Sequence, residues 1–192
     1  MQSGRATELM LIRHAPALTA GRLCGRTDVA ADCSDAVAIK SLRAALGRPA
    51  RLITSPALRC RQTAAALWPE LADPPQDANL WEQDFGDWEG RAYADLPDLG
   101  ALPPEDLARH TPTGGESFAD LCARVAPALI RLAAGGDLAI VAHAGTVRAG
   151  LALALGAVPA GLAFTVAPLS VTRLRALPGG GWAIVCVNWT PA

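Results

Sequence analysis

The chain has 192 residues, 51% of them hydrophobic and 18% charged, with a formal net charge of -1. That length suits one domain with a substantial core, and the charge balance excludes the basic groove of a nucleic-acid binder and the basic face of a protein drawn to an anionic membrane. No stretch reaches the roughly 18 uninterrupted apolar residues of a membrane span, and the N-terminal stretch has too short an apolar run, Leu9 to Ile12, for an export signal.

In chain order, Glu8 to Arg13 reads as a short buried strand. Ser34 to Leu46 reads as a helix, with Ser34 as its cap, Val37, Leu42 and Leu46 near one face, and Gly47 as its stop. Arg51 to Thr54 reads as a second strand. Ser55-Pro56 then supplies an N-cap and a proline at the first helical position, opening a helix that runs to about Trp68 and stops before Pro69. Gln76 to Trp81 reads as a weak third strand. Residues 85–116, rich in Gly, Pro, Asp and Trp, read as an excursion over the top of the domain, with short helical turns near Tyr93–Leu96 and Glu105–His110. Ser117 to Ala134 reads as a helix closed by Gly135-Gly136, Asp137 to Ala142 as a fourth buried strand, and Gly145 to Leu155 as another helix. Leu169–Ala176 and Trp182–Val187 flank Pro178-Gly-Gly-Gly181 as a hairpin. Strand–helix alternation implies one α/β domain over residues 1–192. Its expected architecture is three-layer α/β/α, with a mostly parallel sheet and an antiparallel C-terminal edge strand. The five cysteines, Cys24, Cys33, Cys60, Cys122 and Cys186, are odd in number and form no C-x-x-C pair. Reduced, buried or half-buried thiols in the cytoplasm are expected.

In such a sheet, ligands bind beyond the carboxyl ends of the strands. Those ends carry Arg13-His14, Ser55-Pro-Ala-Leu-Arg59, Glu82 and His143-Ala-Gly145. Taken singly, each arginine could be an ion-pair partner, His143 a core histidine and Glu82 a solvated carboxylate. Together they bring two imidazoles and two guanidiniums to one rim. A metal site would pair histidines with carboxylates, and two arginines beside them would repel a cation. The same set suits a phosphate dianion, because arginine forks match phosphate oxygens. The helices starting after Ser55 and near Gly145 could aim their N-termini at the same anion. Other phosphate chemistries lack their motifs. No cysteine opens a C-x5-R loop, since the residues six beyond Cys24, Cys60 and Cys122 are Ala30, Ala66 and Ala128. There is no D-x-D pair, phosphate loop or G-x-S-x-G elbow. His14 is the best remaining nucleophile. His110, among polar residues, is expected at the surface.

Leu-Ile-Arg13-His14, Ser55-Pro-Ala-Leu-Arg59-Cys-Arg-Gln-Thr-Ala, Leu80-Trp-Glu82-Gln-Asp-Phe-Gly-Asp-Trp-Glu-Gly90, Gly114-Gly-Glu-Ser117 and Val141-Ala-His143-Ala-Gly-Thr-Val-Arg148 resemble, in order, the motifs of the histidine phosphatase, or phosphoglycerate-mutase-like, superfamily. Arg13-His-Ala-Pro and Gly21-Arg-Leu-Cys-Gly-Arg-Thr-Asp28 look most like the α-ribazole phosphatase-type members of cobalamin synthesis. The resemblance implies a phosphoglycerate-mutase-like fold and a phosphomonoesterase. His14 would become phosphohistidine, with Arg13, Arg59 and His143 holding the phosphoryl oxygens. Glu82 would protonate the leaving oxygen and then activate water; Glu89 and Glu116 compete for that acid role. No metal or cofactor is implied.

The sequence departs from the family pattern after the nucleophile. Ala15, Ala17 and Ala20 stand where many members have glycine, threonine and asparagine. Thr19, Arg22, Gly25 and Arg26 are the candidate replacements in the phosphate cradle, with the Gly25 backbone and Arg26 favoured because their loop follows the nucleophile closely. Trp81 and Trp88 read as core or lid residues, Trp81 more as core, and an aromatic wall for a ribose or base-like ring is the alternative for Trp88. The expected partner is a small phosphate ester, with α-ribazole 5'-phosphate as one candidate and a sugar or nucleotide phosphate or a mutase-type phosphotransfer as alternatives. A phosphohistidine protein phosphatase and a non-catalytic phospholigand module fit less well. The oligomeric state is open between monomer and homodimer.

Overall fold

The computed structural model describes residues 5–71 and 73–191. Five strands form one mixed sheet in the order β2-β3-β1-β4-β5: β1 (Thr7–Arg13), β2 (Leu52–Thr54), β3 (Leu138–Ala142), β4 (Val171–Ala176) and β5 (Trp182–Trp189). β1 and β2 each pair in parallel with β3, while β4 pairs antiparallel with both β1 and β5. Alternation along the strands builds two cores. Leu9, Leu11, Leu138 and Ile140 face one side; Ile12, Ala139 and Val141 face the other. The first core is covered by α4 (Phe118–Ala133) and α5 (Ala144–Leu155), the second by α1 (Ala36–Leu46) and α2 (Leu58–Leu67). This is the expected three-layer α/β/α arrangement.

Helix ends show local chemistry at work. α4 opens with a reciprocal box, in which the Ser117 hydroxyl accepts from Asp120 N–H (3.1 Å) and the Asp120 carboxylate accepts from Ser117 N–H (3.0 Å). Pro127 lies inside α4 without ending it. Pro127 has no N–H to give the Ala123 carbonyl, and both residues lie on the exposed face of the helix, where solvent can reach.

Three expectations change. The cap of α1 is Asp35, whose carboxylate accepts from Ala38 N–H (2.9 Å), not Ser34. α2 starts at Leu58 rather than Pro56. Residues Gln76 to Trp81 form no strand. Only Gln76 bridges to Thr54; then the Asp77 carboxylate accepts from Asn79 N–H (2.9 Å) and its side-chain amide (3.0 Å), turning the chain into a short helical turn over Ala78–Leu80. The excursion holds the expected helical turns, one at Tyr93–Asp95 and α3 at Pro104–Arg109.

Candidate active site

Because β2, β3 and β1 are neighbours in parallel, Ser55, His143 and His14 leave the sheet at one rim. His14 extends the pairing by one step, its N–H donating to Ala142 O at 2.9 Å. Its Nδ1–H donates to the Ala15 carbonyl at 2.6 Å, which fixes the tautomer and leaves the Nε2 lone pair free. Ala15 N–H in turn donates to the Thr63 hydroxyl (2.9 Å), and that hydroxyl donates to Arg59 O (2.7 Å), tying the turn after β1 to α2. Burial lowers the His14 pKa to about 3; the Ala15 bond opposes this, and the Arg59 and Arg13 charges add to it. The ring is therefore neutral at ordinary pH.

His143 lies edge-on to His14, with ring centroids 5.2 Å apart and planes at 71°. It is fully buried, and burial first, then the charge of Arg59, holds it well below the usual imidazole range. Its Nε2 bonds to Ser55 Oγ at 2.8 Å, while the Cys60 sulfur lies 3.5 Å from the same nitrogen. Burial pushes the Cys60 thiol up, so it packs there as a neutral wall. Ser55 thus contacts a histidine instead of capping α2; its hydroxyl lies 3.4 Å from Ala57 N–H. Trp81 stacks parallel to His143, with centroids 6.3 Å apart and planes at 8°. It therefore lines the site as well as packing on the core.

Arg59 is buried, with 1% exposure, yet among the described residues neither it nor Arg13 forms an ion pair with a carboxylate. Arg59 donates to Gly25 O (2.7 Å) and Thr27 O (3.2 Å), and Arg13 donates to Val166 O. Two guanidiniums without carboxylate partners beside two neutral imidazoles form a site that favours an anion.

Glu82 reaches this rim without a strand beneath it. Its carboxylate accepts from Gly145 N–H at 3.1 and 3.2 Å, at the start of α5. Gly145 makes the approach possible, since a Cβ there would lie 2.0 Å from Glu82 Oε1. Arg124 on α4 fastens the segment by donating to the carbonyls of Asn79 (2.8 Å), Trp81 (3.1 Å) and Glu82 (3.3 Å). Glu116, one competitor for the acid role, pairs with Arg124 at 2.9 Å and Arg26 at 3.6 Å. Burial would raise its carboxyl, but the Arg124 bonds and both charges outweigh that and hold it low.

Four sequence expectations meet different geometry. The Gly25 N–H, expected to face phosphate, donates to Glu89 at 3.0 and 3.1 Å, and the Gly25 carbonyl holds Arg59. Arg26 lies against Trp81, 5.7 Å from the ring centroid, besides pairing with Glu116. Both helix N-termini are already engaged by carboxylates: Leu58 N–H donates to Asp28 (2.7 Å) and Gly145 N–H to Glu82. His110 is half-buried and stacks on Trp88 at 5.3 Å, so that pair forms its own contact on the excursion.

Residues 9–190 match the sequence model of the histidine phosphatase superfamily, branch 1. The chain belongs to that superfamily. A bifunctional protein of Mycobacterium tuberculosis H37Rv is 33% identical over 170 residues, covering 80% of this chain and 46% of the relative; the chain thus spans about half the length of the first curated relatives it matches. A glucosyl-3-phosphoglycerate phosphatase of the same organism is 28% identical, covering 97% of this chain and 88% of the relative. The solved structure of a mycobacterial glucosyl-3-phosphoglycerate phosphatase superposes with a TM-score of 0.82 at 25% identity, over 97% of this chain and all of that one. A putative α-ribazole-5'-phosphate phosphatase of Escherichia coli shares the fold, with a TM-score of 0.80 at 22% identity over 96% of this chain and 97% of that one. The structure brings His14, His143, Arg13, Arg59 and Glu82 to one rim of the sheet. The contacts of Ser55, Trp81, Arg124 and Glu89 escape a reading of the sequence. Ser55 could have been found from its place directly after β2, on the same rim.

No helix among the described residues is long and apolar enough to cross a membrane, and no group of three or more His, Cys, Asp or Glu among them is placed to hold a metal ion.

Proposed function

We propose that the chain hydrolyses a small phosphate monoester through a phosphohistidine on His14, without a metal ion, in the cytoplasm. One observation carries this reading. The Nδ1–H bond to the Ala15 carbonyl leaves Nε2 of a neutral, buried imidazole free, beside His143 and close to the guanidiniums of Arg13 and Arg59.

The chemistry follows from these groups. Nε2 attacks phosphorus as the ester P–O bond breaks, and its electron pair leaves on the ester oxygen, which takes the proton of Glu82. The ionised Glu82 then removes a proton from water. The water oxygen bonds to phosphorus, and the P–N electrons return to Nε2. Arg13, Arg59 and an N–H of His143 hold the transferring oxygens in both steps. Arg26, over Trp81, lines the approach to the pocket rather than the phosphoryl seat, and the engaged Gly25 backbone acts through Arg59.

Similarity over nearly the whole chain to glucosyl-3-phosphoglycerate phosphatases favours a phosphorylated sugar or glycerate substrate. α-Ribazole 5'-phosphate, motivated by the segment Gly21 to Asp28, is the competing substrate. A panel of both, with nucleotides and phosphoglycerates, run in EDTA, separates them. The expected result is release of inorganic phosphate that survives chelation, needs no bisphosphate activator and disappears in His14→Ala. Rapid-quench labelling that traps no phosphorus on wild-type His14, or activity lost to EDTA, refutes the scheme.

A further inference from the structure

Glu89 has surroundings that the hydrolytic scheme does not use. Its half-buried carboxylate accepts from the N–H groups of Gly25 (3.0 and 3.1 Å), Arg26 (2.8 Å) and Thr27 (3.1 Å), from the Thr27 hydroxyl (2.6 Å) and from Phe85 N–H (3.3 Å). Successive N–H groups converging on one anion form a nest, and here the protein fills it with its own side chain. The packing leaves no slack. A Cβ on Gly25 would lie 1.9 Å from Gln83 O and 2.7 Å from Glu89 Oε1. Burial would raise the Glu89 carboxyl, but the bonds from Thr27, Arg26 and Phe85 outweigh it and keep the group below the usual carboxylate range. It is an anion, not a proton donor.

The carbonyls of this turn point the other way. Those of Gly25 and Thr27 grip the Arg59 guanidinium at 2.7 and 3.2 Å. At the end of the turn, Asp28 accepts from Leu58 N–H, one residue before Arg59. One carboxylate therefore shapes a turn, and the turn holds a buried cation that has no carboxylate of its own.

We propose that Glu89 is a positioning residue for Arg59. By drawing residues 25–27 into a turn, it fixes the direction from which the guanidinium meets a phosphoryl group. This rests on the phosphatase reading above.

Glu89→Gln in the full chain tests the proposal, assayed on p-nitrophenyl phosphate and an alkyl phosphate, with inorganic phosphate as competitive inhibitor. kcat/KM is expected to fall about 10–100-fold. The factor is the same on both substrates, because Arg59 meets phosphoryl oxygens and not the leaving group. The inhibition constant for phosphate rises in parallel. Adding Glu89→Gln to Arg59→Lys costs little more than Arg59→Lys alone. Thr27→Val, which deletes one donor, gives the same pattern at smaller size and carries the test should Glu89→Gln fail to fold. Unchanged kcat/KM and phosphate inhibition in the folded variant overturn the proposal. So do fully additive losses, or a loss confined to the alkyl ester. A wild-type chain that leaves p-nitrophenyl phosphate intact sinks the phosphatase reading instead.

Discussion

Gly145→Ala places one methyl group between the proposed acid and the helix that holds it. The new Cβ would meet Glu82 Oε1 at 2.0 Å, Leu121 Cδ2 at 2.7 Å and Glu82 Cδ at 3.2 Å. An ordinary carbon–oxygen contact is longer than the first by more than ~1 Å, so the carboxylate must withdraw and give up the Gly145 N–H. A displacement of that size at a reacting group costs about 100-fold in rate, or roughly 2.7 kcal/mol of barrier. Stability should barely move. Alanine favours a helix interior over glycine by about 1 kcal/mol, and losing a carboxylate at a helix N-terminus costs about the same. The assay compares kcat for an alkyl phosphate, whose leaving oxygen needs a proton, with that for p-nitrophenyl phosphate, whose leaving group needs none. The alkyl substrate should lose about 100-fold and the nitrophenyl substrate only a few-fold, with the melting temperature within a few degrees of wild type. Glu82→Gln should show the same split. Equal losses on both substrates would refute the placement of Glu82 as the acid, and so would an undisturbed alkyl rate.

Burial of neutral His14 makes acid stability a second readout. Its folded pKa, about 3, lies below the unfolded value of 6.5. The unfolded chain therefore binds the proton first, and stability present above pH 6.5 is lost progressively as pH falls toward 3. His143 acts in the same direction. Urea unfolding from about pH 7 to 5 should show a loss that His14→Asn reduces; the ceiling from His14 over its whole window is on the order of 3–5 kcal/mol. An identical slope in the variant would refute neutral burial of this ring. Ala20 sits at φ 51°, in the left-handed region. Asparagine tolerates that conformation better, so Ala20→Asn should stabilise by about 0.5–1 kcal/mol in the same unfolding assay; a loss would refute the strain.

Legibility follows how local the determining interaction is. β1 and β3 are readable because their apolar runs are buried on both faces, and the hairpin because Pro178-Gly-Gly-Gly181 marks its turn. α4 is readable from Ser117 and its apolar face. His14, Arg13 and His143 stand out because they lie at the ends of those strands. The strand expected at Gln76–Trp81 does not form because Asp77 bonds the chain just ahead of it, and such competition by a short polar side chain overrides a weak alternating pattern. Ser34 and Ser55 mislead for a related reason. Serine, aspartate and asparagine can all cap a helix, and only the tertiary structure gives one cap to Asp35 and turns Ser55 toward His143.

What no local pattern reveals is which partner satisfies each backbone group. Gly25 to Thr27, Leu58 and Gly145 all present N–H groups near the rim, and from the sequence each is a reasonable phosphate ligand. The fold gives them to Glu89, Asp28 and Glu82, which are distant along the chain. The consequence is electrostatic. Backbone donors around the pocket are bonded to carboxylates, while Arg13 and Arg59 form no ion pair among the described residues, so the attraction for a dianion rests on side-chain cations rather than on backbone N–H groups. Charge from guanidiniums is aimed by what grips them, and here the grips are carbonyls of Val166, Gly25 and Thr27. Carbonyls hold a guanidinium without neutralising it. A carboxylate in their place would fix the same side chain and cancel the charge that the phosphate is there to meet.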